Sequence, residues 1–255
     1  MLSRPCVRDY APGLRVIQQA GARIFNSRRV IQALKLQKPV LIGHSMACSE
    51  MTFLAQQRSS ELAALVYLDA NADPMDYAWS NAEFRALTMK AMKNAPGHPK
   101  RTAADNPSVE AYQAYQRRTG EAPFPAAEIR NMYVINPDSI GNNRTPPYVG
   151  KEIDAGSIPK DYRNVDLPVL ALIAVPLRPA EKWKRQAPKT EEERQDSERA
   201  DEILIHFIHR WEDNLKHSDK RASVVEVPGA HHYIFLNERG VVLQQIQAFL
   251  ETLPQ

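Results

Sequence analysis

Four stretches read as strands, and the first two carry the short apolar run of strands covered on both faces. They are Val40–Gly43 (VLIG), 63–70 (AALVYLDA), 165–176 (VDLPVLALIAVP) and 222–228 (ASVVEVP). Between them the apolar positions recur at helical spacing. Val30, Ile31 and Leu34 predict a short helix that stops before Pro39, and Met51, Phe53 and Leu54 predict one over 46–58. Ile203, Leu204, Phe207, Ile208, Trp211 and Leu215 mark one side of an amphipathic helix, and Val242, Ile246, Phe249 and Leu250 mark another at the end of the chain. Strands alternating with helices predict an α/β fold built on a mostly parallel sheet flanked by helices. Residues 71–165 break this rhythm. They are rich in Pro, Asn, Ala and Tyr, with helical pieces near 81–93 and 108–118 and no strong strand. We read them as an inserted helical cap and divide the chain into 1–75 (first part of the core), 76–164 (cap) and 165–255 (second part of the core).

Composition narrows the picture. Of 255 residues, 43% are apolar and 25% charged, ordinary for a globular protein. A net charge of +3 gives no overall argument for nucleic acid as a partner. Cys6 and Cys48 form neither a disulfide framework nor a metal-ligand spacing, so a reduced, cytoplasmic setting is expected. No apolar run approaches the ~18 residues of a membrane span, and the first ten residues lack an apolar signal-peptide core. His206 and His209 lie three apart on a helix without a third ligand and read as solvated histidines. The stretch EKWKRQ at 181–186 is too short for a nucleic-acid patch, and KTEEERQDSER at 189–199 reads as a solvated helix start.

The chemistry concentrates at KPVLIGHSMA, residues 38–47. A strand runs into Ser45 and a helix leaves it. A tight strand-to-helix turn thrusts a side chain outward and needs small residues two before and two after it. Gly43 and Ala47 meet that need, and the Met46 N–H at the helix start points where an oxyanion would form. A serine also needs a base. Near the C-terminus, VPGAHHYIF offers His232 in a loop after the last strand, with His231 as the fallback.

The segment Gly43, His44, Ser45, Met46, Ala47 resembles the nucleophile elbow of the α/β-hydrolase superfamily, with Ala47 where the usual pattern has Gly. The chain order of Ser45, acid and histidine is similar to that family's, and its histidine commonly follows the last strand, as His232 does. The resemblance implies an α/β-hydrolase-like fold and a serine hydrolase acting on an ester or related acyl bond of a small apolar substrate. Ser45 is then the nucleophile, His232 the base and Met46 the oxyanion donor, with no cofactor, metal, nucleic acid or membrane involved. For the acid, the family's usual position after VLALIA holds no Asp, only Glu181 somewhat later. A variant of the family takes it from the preceding strand end, where LVYLDANAD offers Asp69 and Asp73. Asp69 ranks first, Glu181 second and Asp73 third. The haloalkane-dehalogenase branch places an acid at this strand end, but its carboxylate nucleophile does not match Ser45. The aromatics Trp79, Phe84, Tyr112, Tyr115, Phe124, Tyr133 and Tyr148, with Met89, are expected mostly to form the cap's own core, the region that in the family lines the substrate pocket.

The same comparison implies strands and a His-Gly loop ahead of the elbow. Thirty-eight residues precede Pro39, and strand–helix units need about 30 residues each, so four strands do not fit; LRVI or ARIF offers one. A fragment, an alternative start and a family member without its front half all remain open. The elbow strand then presents a bare apolar edge, which implies self-association through that edge as one expectation. A degenerate binding protein and an acyltransferase using the same triad stand beside the hydrolase reading.

Overall fold

The computed structural model describes residues 28–70, 78–94, 101–118, 123–149, 162, 165–185, 188–218 and 221–254. After a helical turn at 28–33, the chain enters β1 (Val40–His44), α1 (Ala47–Arg58) and β2 (Ala64–Leu68). Next come α2 (Ala82–Asn94), α3 (Val109–Arg118), α4 (Ala126–Met132) and a hairpin of β3 (Tyr133–Asn136) and β4 (Ser139–Asn143). The chain then returns through β5 (Val169–Val175), α5 (Pro179–Arg185), α6 (Glu191–Ser218), β6 (Ala222–Pro228), α7 (Ile234–Asn237) and α8 (Arg239–Glu251).

The main sheet has the order β1-β2-β5-β6, every pairing parallel, as the unbroken apolar runs predict. All five residues of β2 are buried, and β5 is nearly so, because helices cover both faces. One layer packs Leu65, Tyr67, Ala171 and Ile173 against Cys48, Leu54 and Leu62 around α1 and Ile208, Trp211 and Leu215 of α6. The other packs Val66, Leu68, Leu170 and Leu172 against Ile234 and Val242. This alternation along β2 and β5 follows from side chains pointing to opposite faces at every second residue.

Polar groups inside the first layer are paired. Thr52 Oγ1 lies 2.6 Å from the Tyr67 hydroxyl, and Trp211 Nε1–H donates to the Tyr162 hydroxyl at 2.5 Å. Among the described residues β1 is an edge strand, paired only with β2, and Ile42 is half exposed there. The candidate front strands LRVI and ARIF, and Cys6, lie outside the described residues.

Two expectations need correction. The segment between β2 and β5 does contain strands. β3 and β4 pair antiparallel with Asn136 opposite Ser139, leaving Pro137 and Asp138 as a two-residue turn. The β-branched run before Asn-Pro carried that signal. Leu250 is not on the core stripe of α8 but 41% exposed. At about 100° per residue it sits roughly 80° around the helix from Val242, whereas Ile246 and Phe249 stay within about 40° and pack inward. The first helix forms at 28–33, where the spacing predicts one, with Val30 and Leu34 exposed and Ile31 packed on the core.

The described residues of the intervening segment pack in two places. Val109, Ile129 and Ile140 form a small core of their own with Tyr112, Phe124 and Tyr133 around them. Helix α2 lies on α6, where Phe84 and Ala78 meet Ile203. Ion pairs flank that contact, Lys90 with Glu192 and Asp196 and Arg199 with Glu83, all at 2.6–2.8 Å. Exposed pairs like these are screened by solvent and contribute little, so the apolar contact holds the helices together. Met89 and Tyr148 are exposed, and the Trp79 side chain lies outside the described set. Within 181–186, Glu181 is exposed, while Lys182 and Trp183 turn to α6, Lys182 bound to Ser197 and Asp201 and the Trp183 Nε1–H donating to Glu198.

Candidate active site

Parallel strands end at one edge of a sheet, so loops leaving them meet there. Ser45 follows the tip of β1 with φ at 54°, a left-handed conformation that costs a non-glycine residue about 1–2 kcal/mol. The turn is held from both sides. The Ser45 N–H donates to the Leu68 carbonyl of β2 at 3.1 Å, and the Cys48 N–H donates back to the Ser45 carbonyl at 3.2 Å. The close approach that demands Gly43 is also visible. A Cβ there would stand 2.2 Å from Met51 Sδ and 3.3 Å from the Ala47 Cβ. Cys48 is buried behind the elbow, its thiol 3.1 Å from the Gly43 carbonyl.

This crowding gives a first expected result. Gly43→Ala forces Met51 aside and destabilises the fold by about 1–3 kcal/mol, read from the urea midpoint. Met51→Ala alone leaves a cavity and costs about 2–5 kcal/mol. In the double variant the new methyl no longer meets the sulfur, so the two costs add to less than their sum.

Asp69 follows the tip of β2. Its N–H continues the ladder to the Leu172 carbonyl at 2.8 Å, and its φ of 45° then turns the side chain across the sheet edge. Oδ1 accepts the Ala174 N–H at 3.0 Å, and Oδ2 lies 2.7 Å from His232 Nδ1. The carboxylate is buried, 7% exposed, yet both oxygens are satisfied. His232 arrives from the far side of the sheet. After β6 the Gly229 N–H donates to the Val175 carbonyl at 2.8 Å, and Gly229, at φ 73°, turns the chain back over the strand ends. A side chain at Gly229 would meet Leu177 at 2.8 Å.

His44 joins the two halves. Its Nε2–H donates to the His232 carbonyl at 2.8 Å, and its ring centroid lies 4.4 Å from that of His232. Tyr233 and Phe235 pack on the same ring, both at 5.1 Å. Burial holds the His44 imidazole below its ordinary pKa, against the opposing effect of the carbonyl it binds. Phe124, from the intervening segment, meets Tyr233 edge to face at 4.9 Å.

Of the sequence candidates, the structure thus brings Asp69 to His232 and sets the Ser45 turn beside Leu68, the residue before Asp69. With Nδ1 taken by the carboxylate, His232 has Nε2 left for a proton partner. His231 turns elsewhere, its Nδ1 accepting the Tyr233 N–H at 3.1 Å. Glu181 is exposed in the first turn of α5, while the carboxylate on His232 is that of Asp69. Asp73 lies outside the described residues. Met46 is the cap residue at the start of α1, its side chain half exposed. His209 pairs with Glu226 at 3.2 Å, and His206 packs on Phe207. Two participants were not predicted: the Ala174 N–H, which depends on strand register, and the His44 side chain, read from sequence only as an elbow position. No described helix is long and apolar enough to cross a membrane.

No family model and no curated protein matches the sequence. Solved structures do resemble the fold. A crystal structure of E-2-(acetamidomethylene)succinate hydrolase is 16% identical, covers 91% of this chain and 74% of its own, and superposes with a TM-score of 0.53. A marine microorganism esterase is 14% identical over 90% of this chain and 77% of its own, with a TM-score of 0.49. An α/β hydrolase fold protein from Chitinophaga pinensis is 12% identical over 91% and 72%, with a TM-score of 0.48. The parallel sheet, its flanking helices and the first of these superpositions agree that the chain has the α/β-hydrolase fold.

Proposed function

We propose that the chain is a serine hydrolase that cleaves an ester or related acyl bond of a small apolar substrate. One observation carries the reading: a buried, fully satisfied carboxylate holds the histidine of a neighbouring loop at 2.7 Å, beside a left-handed serine turn. In this reading His232 Nε2 takes the proton of Ser45 Oγ as the oxygen attacks the substrate carbonyl. The Met46 N–H stabilises the oxyanion at the helix start. The imidazolium, oriented and stabilised by Asp69, then gives its proton to the leaving alkoxide. Water, deprotonated by the same nitrogen, clears the acyl-enzyme and regenerates the serine. Residues 76–164 serve as a cap over this edge; the Phe124–Tyr233 contact supports that placement. That the first structural neighbour is itself a hydrolase agrees with the reading.

The test is direct. The purified chain is treated with a fluorophosphonate probe and assayed on p-nitrophenyl esters of rising acyl length. Labelling and turnover of the short esters are expected. A folded protein that neither labels nor turns over is a binding protein on a hydrolase fold, and transfer of the acyl group to an added alcohol in preference to water makes it an acyltransferase.

A further inference from the structure

We infer that His44 is a positioning residue for the base: the side chain that precedes the nucleophile fixes the loop that carries His232. The inference rests on the serine hydrolase reading for its kinetic consequence, though not for its geometry. His44 leaves the tip of β1 in the position before Ser45, so its backbone is set by the same turn that presents the hydroxyl. Its side chain reaches a loop 188 residues later and donates Nε2–H to the His232 carbonyl at 2.8 Å. That bond fixes the ring's tautomer, since the nitrogen facing a carbonyl must carry the proton.

The contact also has a face. The His44 ring lies tilted over His232 at 4.4 Å and Tyr233 at 5.1 Å, and meets Phe235 edge to face at 5.1 Å. His232 is thus held at two points, its ring by Asp69 and its backbone by His44. One bond alone leaves the imidazole free to swing about it. Two, from the tips of adjacent strands, fix where Nε2 sits relative to the turn of Ser45. A displacement of about 1 Å at a reacting group costs on the order of 10²-fold in rate, so a residue that only holds the loop still governs the chemical step.

Three proteins separate this role from simple packing: the wild-type chain, His44→Phe, which keeps an aromatic ring and removes the donor, and His44→Gln, whose amide N–H replaces it at similar reach. With p-nitrophenyl acetate, His44→Phe is expected to lower kcat by roughly 10- to 100-fold with KM within about twofold, and His44→Gln to recover most of that loss. Hydrogen–deuterium exchange over 229–237 is measured on the same samples. It is expected to be faster in His44→Phe and close to wild type in His44→Gln. Unchanged kcat in a folded His44→Phe, equal loss in both variants, or a change confined to KM overturns the inference. If the wild type shows no turnover, the hydrolase reading has failed. The exchange data then decide alone, and equal rates in all three proteins overturn the positioning role.

Discussion

Ser45→Ala is expected to abolish fluorophosphonate labelling and to lower ester turnover by about 10⁴-fold or more, the scale on which loss of a nucleophile collapses a serine–histidine–acid unit. The fold is expected to survive. The substitution removes one oxygen from a half-buried side chain and leaves the turn's hydrogen bonds, which are made by the Ser45 backbone N–H and carbonyl. The left-handed φ persists with alanine, so no strain is released that would mask the result. The decisive comparison is labelling against the thermal midpoint. Lost labelling at an unchanged midpoint assigns the nucleophile, and full labelling of the variant removes Ser45 from the mechanism.

Asp69→Asn is the second large effect. Asparagine tolerates the left-handed backbone better than most residues, and its side-chain oxygen can still accept the Ala174 N–H now bound at 3.0 Å. The fold therefore holds. The face toward His232 changes from acceptor to donor, however. An amide N–H directed at Nδ1 requires that nitrogen to be unprotonated, so the proton moves to Nε2, where the serine needs a lone pair. The expected loss is about 10⁴-fold in kcat with little change in KM. Asp69→Ala makes a useful contrast. It loses activity and also leaves the Ala174 N–H without its acceptor, which adds about 1–3 kcal/mol of destabilisation visible in urea unfolding. Glu181→Gln is expected to leave kcat within about twofold, because that carboxylate is exposed on α5 while Asp69 occupies His232. A large loss there would shift the acid to α5.

The His44 and Asp69 results bear on each other. Both side chains act on His232 from neighbouring strand tips, so their variants are expected to couple, and the double variant to lose less than the product of the two single losses. Gly43 belongs to the same unit through sterics rather than charge, since the space a Cβ would fill is already held by Met51 and Ala47.

Much of this was legible in the chain because local pattern and local chemistry agree. Unbroken apolar runs announce strands buried on both faces, and β2, buried at every position, obeys that rule. Gly43 and Ala47 around Ser45 announce a tight turn because only small residues fit beside it. Pro-Gly at the end of β6 announces the loop that carries His232. The hairpin β3–β4 was written in Asn-Pro-Asp after a β-branched run, but the surrounding composition of Pro, Asn and Ala obscured it. The exposure of Leu250 shows the opposite limit: a helical stripe fixes direction only to within a residue or so, and the partner surface decides which flank is covered.

By itself, then, the sequence determined the four strands of the main sheet, its main flanking helices and the types of residue available at their ends, since these depend on neighbours a few positions away. From sequence three carboxylates stood as candidates with Asp69 first; that Asp69 meets the imidazole, and that His44 bonds the loop behind it, tertiary structure decided. Asp69 and His232 are 163 positions apart and touch because the order β1-β2-β5-β6 sets their strand ends along one edge. Sheet order is a property of how faces pack, and residue spacing along a chain does not carry it.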